Sequence, residues 1–168
     1  YSNASLVNIG SFHGGSGEDY GVRLADLNND GYIDLIQASD GVGVNKVWMN
    51  NKTNWTYVSS LTFPEVFTGA SHNDKGLRIA DLNNDGLPDL IQGWDGTRRA
   101  WLFNGSAWNL SSIWAPPIDF ANSAGADFGV QLADINGDGK VDLIRARTDF
   151  SKVTYLNTGN GWKDASFQ

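Results

Sequence analysis

The spacing D-x-N-x-D-G-x-x-D occurs three times in the chain, over Asp26–Asp34, Asp81–Asp89 and Asp134–Asp142. Oxygen donors at loop positions one, three and five converge on one point when the backbone turns tightly. The glycine at position six (Gly31, Gly86, Gly139) permits that turn, and the aspartate at nine closes the shell. Each loop is thus a candidate cation site. The first would use Asp26, Asn28, Asp30, the carbonyl of Tyr32 and Asp34; the second Asp81, Asn83, Asp85, the carbonyl of Leu87 and Asp89. The third would use Asp134, Asn136, Asp138, the carbonyl of Lys140 and Asp142. Hard oxygen donors with three carboxylates suit Ca²⁺, whereas Mg²⁺ keeps several of its waters. Three Ca²⁺ sites are expected. Asx-turns without metal would explain one such loop more readily than three intact copies.

Other calcium loops fit poorly. An EF-hand needs a bidentate Glu at position twelve, where this chain has Gln37, Gln92 and Arg145. The dockerin loop runs on into a helical period, but DLIQASDG and DLIQGWDG reach a turn too soon. Nonapeptide loops of the RTX kind are excluded by the long repeat period.

Elements that could position these loops follow from the repeat. GVRLADLNNDGYIDLIQ from Gly21, GLRIADLNNDGLPDLIQ from Gly76 and GVQLADINGDGKVDLIR from Gly129 superimpose without gaps. An aromatic follows each (Trp48, Trp101, Tyr155), then an Asn/Gly-rich turn and a second Trp (Trp55, Trp108, Trp162). A Phe stands nine residues before each starting Gly (Phe12, Phe67, Phe120), and an Asp two residues before it (Asp19, Asp74, Asp127). Val22–Asp26 alternates in polarity, Ile33–Gln37 is a short apolar run, Lys46–Met49 supplies a third strand and the stretch after Trp55 a fourth. Asp40-Gly41 and Asp95-Gly96 are hairpin signals. Four antiparallel strands per repeat are the arithmetic of a β-propeller blade. The fold class expected is all-β, a propeller-type array of three four-stranded blades. It would form one domain over 1–168, with units near 13–67, 68–120 and 121–168 and an extra outer strand at 1–12. Phe63-Pro64 and Pro116-Pro117 fit crossings between blades, where no ladder donor is needed.

At this point the chain resembles FG-GAP/VCBS-type repeats, as in integrin-like β-propellers. The resemblance rests on the A-D-x-N-x-D-G-x-x-D-L-I core and the LNTGNGW ending. Phe128-Gly129 matches the family's opening pair, while Tyr20-Gly21 and Lys75-Gly76 differ in their first residue. It implies that each calcium loop joins the innermost strand of a blade to the second. The family spans adhesion receptors, lectins, toxin subunits and exported surface proteins, so it speaks to fold and metal more than to partner.

Composition narrows the remaining classes. In 168 residues there are 20 Gly and no Cys, which excludes a disulfide framework and a cysteine nucleophile. A formal charge of −7 argues against nucleic acid and anionic membranes as partners, and no apolar run is long enough to insert. Nine of the 19 acidic residues lie in the three loops, so three divalent ions would take the charge from −7 to −1. His13 and His72 occupy non-equivalent positions, and no nucleophile–base pair is visible; an enzyme is not expected. Asp19, Asp74 and Asp127 read as turn or strand-end caps. Arg23, Arg78 and Gln131 share one inner-strand position and should line the axis or a seam between blades. Trp94 and Trp114 have no aromatic counterparts, which leaves them as candidates for sugar stacking.

Five N-x-S/T sequons, at Asn3, Asn51, Asn54, Asn104 and Asn109, all fall in the turn between third and fourth strands or in the fourth strand. That rim is where a glycan can be carried. The expected function is an extracellular, secreted or cell-surface, calcium-stabilised module for adhesion, recognition or assembly; the alternative is a lectin with pockets between blades. The chain starts at Tyr, so a processed or excised chain is expected. Three blades are too few to close a ring, so the expected partners are further blades or other copies of the chain, along with protein or glycan ligands.

Overall fold

The computed structural model describes residues 11–148 and 152–166. The proposed outer strand at the N-terminus, apart from residues 11 and 12, and the sequon at Asn3 lie outside them. Among the described residues, twelve strands form three four-stranded antiparallel sheets, each in simple chain order, the arrangement of a partial β-propeller. The first holds β1 (Val22–Ala25), β2 (Asp34–Ser39), β3 (Val44–Asn50) and β4 (Trp55–Tyr57). The second holds β5 (Leu77–Ala80), β6 (Asp89–Trp94), β7 (Thr97–Phe103) and β8 (Trp108–Leu110). The third holds β9 (Val130–Ala133), β10 (Asp142–Arg145), β11 (Val153–Asn157) and β12 (Trp162–Asp164).

The candidate metal loop is the connection between first and second strands in every sheet, and the register brackets it tightly. Ala25 pairs with Asp34, Ala80 with Asp89 and Ala133 with Asp142. The hairpins from second to third strand differ. Asp95 and Gly96, at φ 49° and 82°, make a two-residue turn of the type whose twist suits a hairpin, joining the pair Trp94–Thr97. The first sheet takes a longer turn, closed by Gly43 N–H on the Asp40 carbonyl at 3.2 Å.

The second strands of the first two sheets are buried almost throughout, whereas β10 is buried at Asp142 and Leu143 and partly exposed beyond them. One core, with Ile36, Ala38, Val47, Phe67, Leu77, Leu90 and Phe103, fills the seam between the first and second sheets. Another, with Ile91, Ala100, Trp114, Phe120, Val130 and Leu143, fills the next. The chain entering each new blade is pinned to the one before it. Phe67 N–H donates to the Ala38 carbonyl at 3.0 Å and Phe120 N–H to Gly93 at 2.7 Å. Parallel bridges follow, Ser39 to Thr68 and Trp94 to Ala121. Gly76, at φ 62°, sits so close beneath Gly93 that a Cβ would meet its carbonyl.

Asn45 holds the Phe63 crossing from both sides, accepting its N–H and donating to its carbonyl, each at 2.8 Å. Its counterpart Arg98 donates to the Pro117 carbonyl and to Asp119. The repeat-spaced Phe residues are not alike: Phe67 and Phe120 are fully covered, while Phe12 is 51% exposed, with no described blade ahead of it.

Truncating Phe67 to Ala should cost about 3–5 kcal/mol, since a fully buried ring is lost from the seam. Leu110→Ala, on an outermost strand and 70% exposed, should change stability by less than about 0.5 kcal/mol. Urea unfolding of the two variants, read side by side, checks the contrast.

Candidate metal-binding loops

The three loops have the same internal wiring. In the first, Asp26 accepts the N–H groups of Asp30 and Gly31 at 3.1 and 2.8 Å, Asn28 Oδ1 accepts Asp30 N–H, and Asp30 accepts Tyr32 N–H at 2.8 Å. Asp81, Asn83 and Asp85 repeat this in the second, and Asp134, Asn136 and Asp138 in the third. The backbone turns back because two residues adopt left-handed conformations. Position six is the expected glycine. Position four is the other: Asn29, Asn84 and Gly137, at φ 55°, 62° and 79°. Sequence reasoning missed this second pivot, although Asn and Gly are the residues that tolerate it.

The ninth residue does something different from the rest. Asp34, Asp89 and Asp142 are completely buried. One oxygen of Asp34 accepts Leu27 N–H and the other Asn50 N–H, both at 2.8 Å. Asp89 does the same with Leu82 and Phe103, and Asp142 with Ile135 and Asn157. This aspartate therefore ties its loop to the end of the third strand.

Among the described residues no three His, Cys, Asp or Glu side chains form a preassembled metal cluster. What the loop oxygens hold are backbone N–H groups together with the side-chain donors of Asn28, Asn83 and Lys140, and a carboxylate oxygen that accepts one hydrogen bond keeps a further lone pair. The donor set still fits a hard cation. Burial raises Asp34 above the ordinary carboxylate range and Asp89 to about 6, and the nearby charges of Asp30 and Asp26, or Asp85 and Asp81, add to the push. The first two loops contain no cationic residue. The third has Lys140, whose ammonium lies 3.2 Å from Asp138. Side chains at position seven diverge: Tyr32 is exposed, Leu87 packs on the core and Lys140 is ion-paired.

Other singled-out residues have structural work. Asp19, Asp74 and Asp127 cap the N–H of Gly21, Gly76 and Gly129 at 2.7–2.8 Å. Asp19 and Asp74 also pair with Arg23 and Arg78 four residues on. Arg23 lies over the Phe67 ring at a seam. The sugar-stacking expectation fails for both tryptophans. Trp114 is buried in the core, and Lys75 Nζ covers the Trp94 ring at 3.5 Å. Asn51, Asn54, Asn104 and Asn109 are all exposed at or beside the fourth strands.

The pattern of the FG-GAP-like repeat matches residues 26–92 and again 81–145. Mouse integrin alpha-7 is 28% identical over 145 residues, which cover 77% of this chain and 12% of the integrin. Human integrin alpha-6 is 29% identical over 139 residues, 75% of this chain and 11% of its own. The chain thus spans about an eighth or less of the length of these relatives. Among solved structures, a lectin from Agrocybe aegerita, described as recognising non-reducing terminal N-acetylglucosamine, superposes with a TM-score of 0.63 at 18% identity. The match covers 88% of this chain and 38% of the lectin. The Photorhabdus luminescens Tc holotoxin pore superposes with a TM-score of 0.56 at 23% identity, over 88% of this chain and 7% of that one. At these identities the likeness is one of fold.

A carboxyl whose folded pKa lies above its unfolded value stabilises the fold when protonated. That contribution is complete below about pH 4 and is lost as pH rises through the folded value, near 6 for Asp89. Asp134 and Asp138, held low chiefly by the N–H groups of Gly139 and Lys140, titrate below this window. In chelator, melting temperature should therefore fall between about pH 4 and about pH 6 and level off above that. Carboxyl ¹³C shifts should put the Asp89 midpoint near 6; a flat melting profile would contradict the assignment.

Proposed function

The chain belongs to the FG-GAP-like repeat family, and on that footing we propose that it is a calcium-braced β-propeller segment serving extracellular recognition or adhesion. The observation that carries the reading is the threefold recurrence of one oxygen-donor loop, each tied to its third strand by a buried aspartate. Asp26, Asn28, Asp30, the Tyr32 carbonyl and Asp34 would hold the first Ca²⁺, with the equivalent sets from Asp81 and Asp134 holding two more. Bound Ca²⁺ would supply the positive charge that the first two loops lack and that Lys140 supplies only in part to the third. The protein's own part is to present the donors on a hairpin whose two strands are already paired. Since the unfolded chain has no such site, ion affinity becomes folding energy.

A cell-surface or secreted setting is supported by the integrin relatives and by the four described sequons on the outer rim. No helix among the described residues is long and apolar enough to cross a membrane. Partners in this reading are further blades of the array or second copies of the chain, and protein ligands.

Ca²⁺ at a hundredfold excess over Kd should add about 2.7 kcal/mol of stability per site and so raise the melting temperature, and EGTA should remove that gain. Asp26→Asn combined with Asp30→Asn should remove one site from a calorimetric titration. A melting curve indifferent to both Ca²⁺ and EGTA would defeat the proposal. Expressed in a glycosylating host, the chain should lose mass on amidase treatment, with Asn51 and Asn104 converted at the hairpin tips.

A further inference from the structure

The two seams between blades are built from equivalent chain positions and filled differently. At the seam between the second and third sheets, Trp114 lies edge-on to Trp162 with ring centroids 5.8 Å apart. The Trp114 carbonyl accepts the Trp162 indole N–H at 3.2 Å. Ile113 shuts the rim, so that a Cβ on Gly161 would stand 3.2 Å from the Ile113 carbonyl oxygen. One seam back, the matching positions carry Ser60, Leu61 and Thr62 in place of Ile113, Trp114 and Ala115. Ser106 and Ala107 stand in place of Asn160 and Gly161. With Leu61 in place of Trp114 and Ser60 in place of Ile113, a cleft of about 280 Å³ lies between the crossing segment of the first blade and the β7–β8 turn of the second. Trp108 forms its aromatic wall, stacked on Phe103 and leaning on Phe63. Its indole N–H is shielded from solvent and, unlike that of Trp162, has no acceptor among the described residues.

We propose that this cleft binds a neutral saccharide unit. Its lining is three hydroxyls, from Ser60, Thr62 and Ser106, set among Leu61, Ala107 and the tryptophan, with no ionisable group. A charged ligand would lose hydration there without meeting a counter-charge, and a hydrocarbon would cover the hydroxyls without pairing them. A sugar ring carries an apolar face and hydroxyls that both donate and accept. The volume is below that of a drug-sized site and suits a single ring. The sugar has two possible sources. Ser106 is the third residue of the sequon at Asn104 and bonds its Oδ1 at 2.9 Å, so a glycan carried there begins at the mouth of the cleft. A free glycan from a partner is the other. The inference rests on the recognition role proposed above and gives that role a ligand class.

The test follows the tryptophan indole N–H signals by NMR. Unglycosylated ¹⁵N-labelled chain is titrated with glucose, galactose, mannose and N-acetylglucosamine. Labelled glycosylated chain is compared with its Asn104→Gln variant. A shift of Trp108 with one of these sugars, Trp162 staying still, supports a free glycan. A Trp108 signal displaced in the glycosylated chain and restored by Asn104→Gln supports the attached one. Leu61→Trp, which rebuilds the packing of the closed seam, should weaken binding at least about tenfold, and Thr62→Ala about tenfold through one lost hydrogen bond. An unmoved Trp108 in both arms would overturn the proposal, as would undiminished binding by a folded Leu61→Trp chain. Melting in Ca²⁺ and EGTA is recorded on the same samples. Sugar binding without a calcium effect would sink the calcium reading alone, and the reverse would sink this one alone.

Discussion

Three carboxylates buried where no water reaches them have to be paired, and in this chain each is paired with backbone. Asp34, Asp89 and Asp142 each take one N–H from the loop's second residue and one from the end of the third strand. The first bond folds the loop against its own start; the second reaches across the sheet. Around that pair of bonds the remaining geometry is settled. The loop cannot open without exposing an N–H, the second strand must begin at the aspartate, and the third strand must end opposite it. The same residue thus ends the acidic loop and begins the core, so the energetics of the two are linked.

From this anchor the blades are held to one another by few polar groups and many apolar ones. Asn157 Nδ2, on the third strand of the third sheet, donates to the Leu82 carbonyl inside the second loop at 2.8 Å. At the matching place in the second sheet stands Phe103, which packs into the first seam beside Leu27. An amide and a phenyl ring thus perform the same joining by different physics. The third-strand end touches the loop of the preceding blade in both, so a change in loop shape is felt across the seam.

Much of this was legible in the residues alone. The repeat, the hairpins at Asp40-Gly41 and Asp95-Gly96 and the four-strand unit all rest on local chemistry, and they stand within a residue or two of where turn and alternation signals put them. The loop was legible as a donor set because its spacing is local as well. What escaped was non-local. Nothing in the spelling of Asp34 says that its second bond runs to Asn50, sixteen residues on. Trp114 looked like a spare aromatic because its equivalent, Leu61, is not one; only the covered seam shows it to be core. Phe12, Phe67 and Phe120 share an offset, yet burial depends on whether a blade precedes them, which an offset does not encode.

The bonds that pin each incoming segment are separate from those inside the sheets. Asp40 N–H reaches the Thr68 carbonyl at 3.0 Å and Asp95 N–H the Ala121 carbonyl at 3.2 Å, beside the bonds made by Phe67 and Phe120. These amides are released when two blades part, even if each stays folded, whereas the ladder amides within a sheet need that sheet to come apart. Hydrogen–deuterium exchange would therefore see two kinds of opening in one chain, a hinge-like parting of neighbours and a cooperative melting of the unit. Seam and sheet would each carry its own clock.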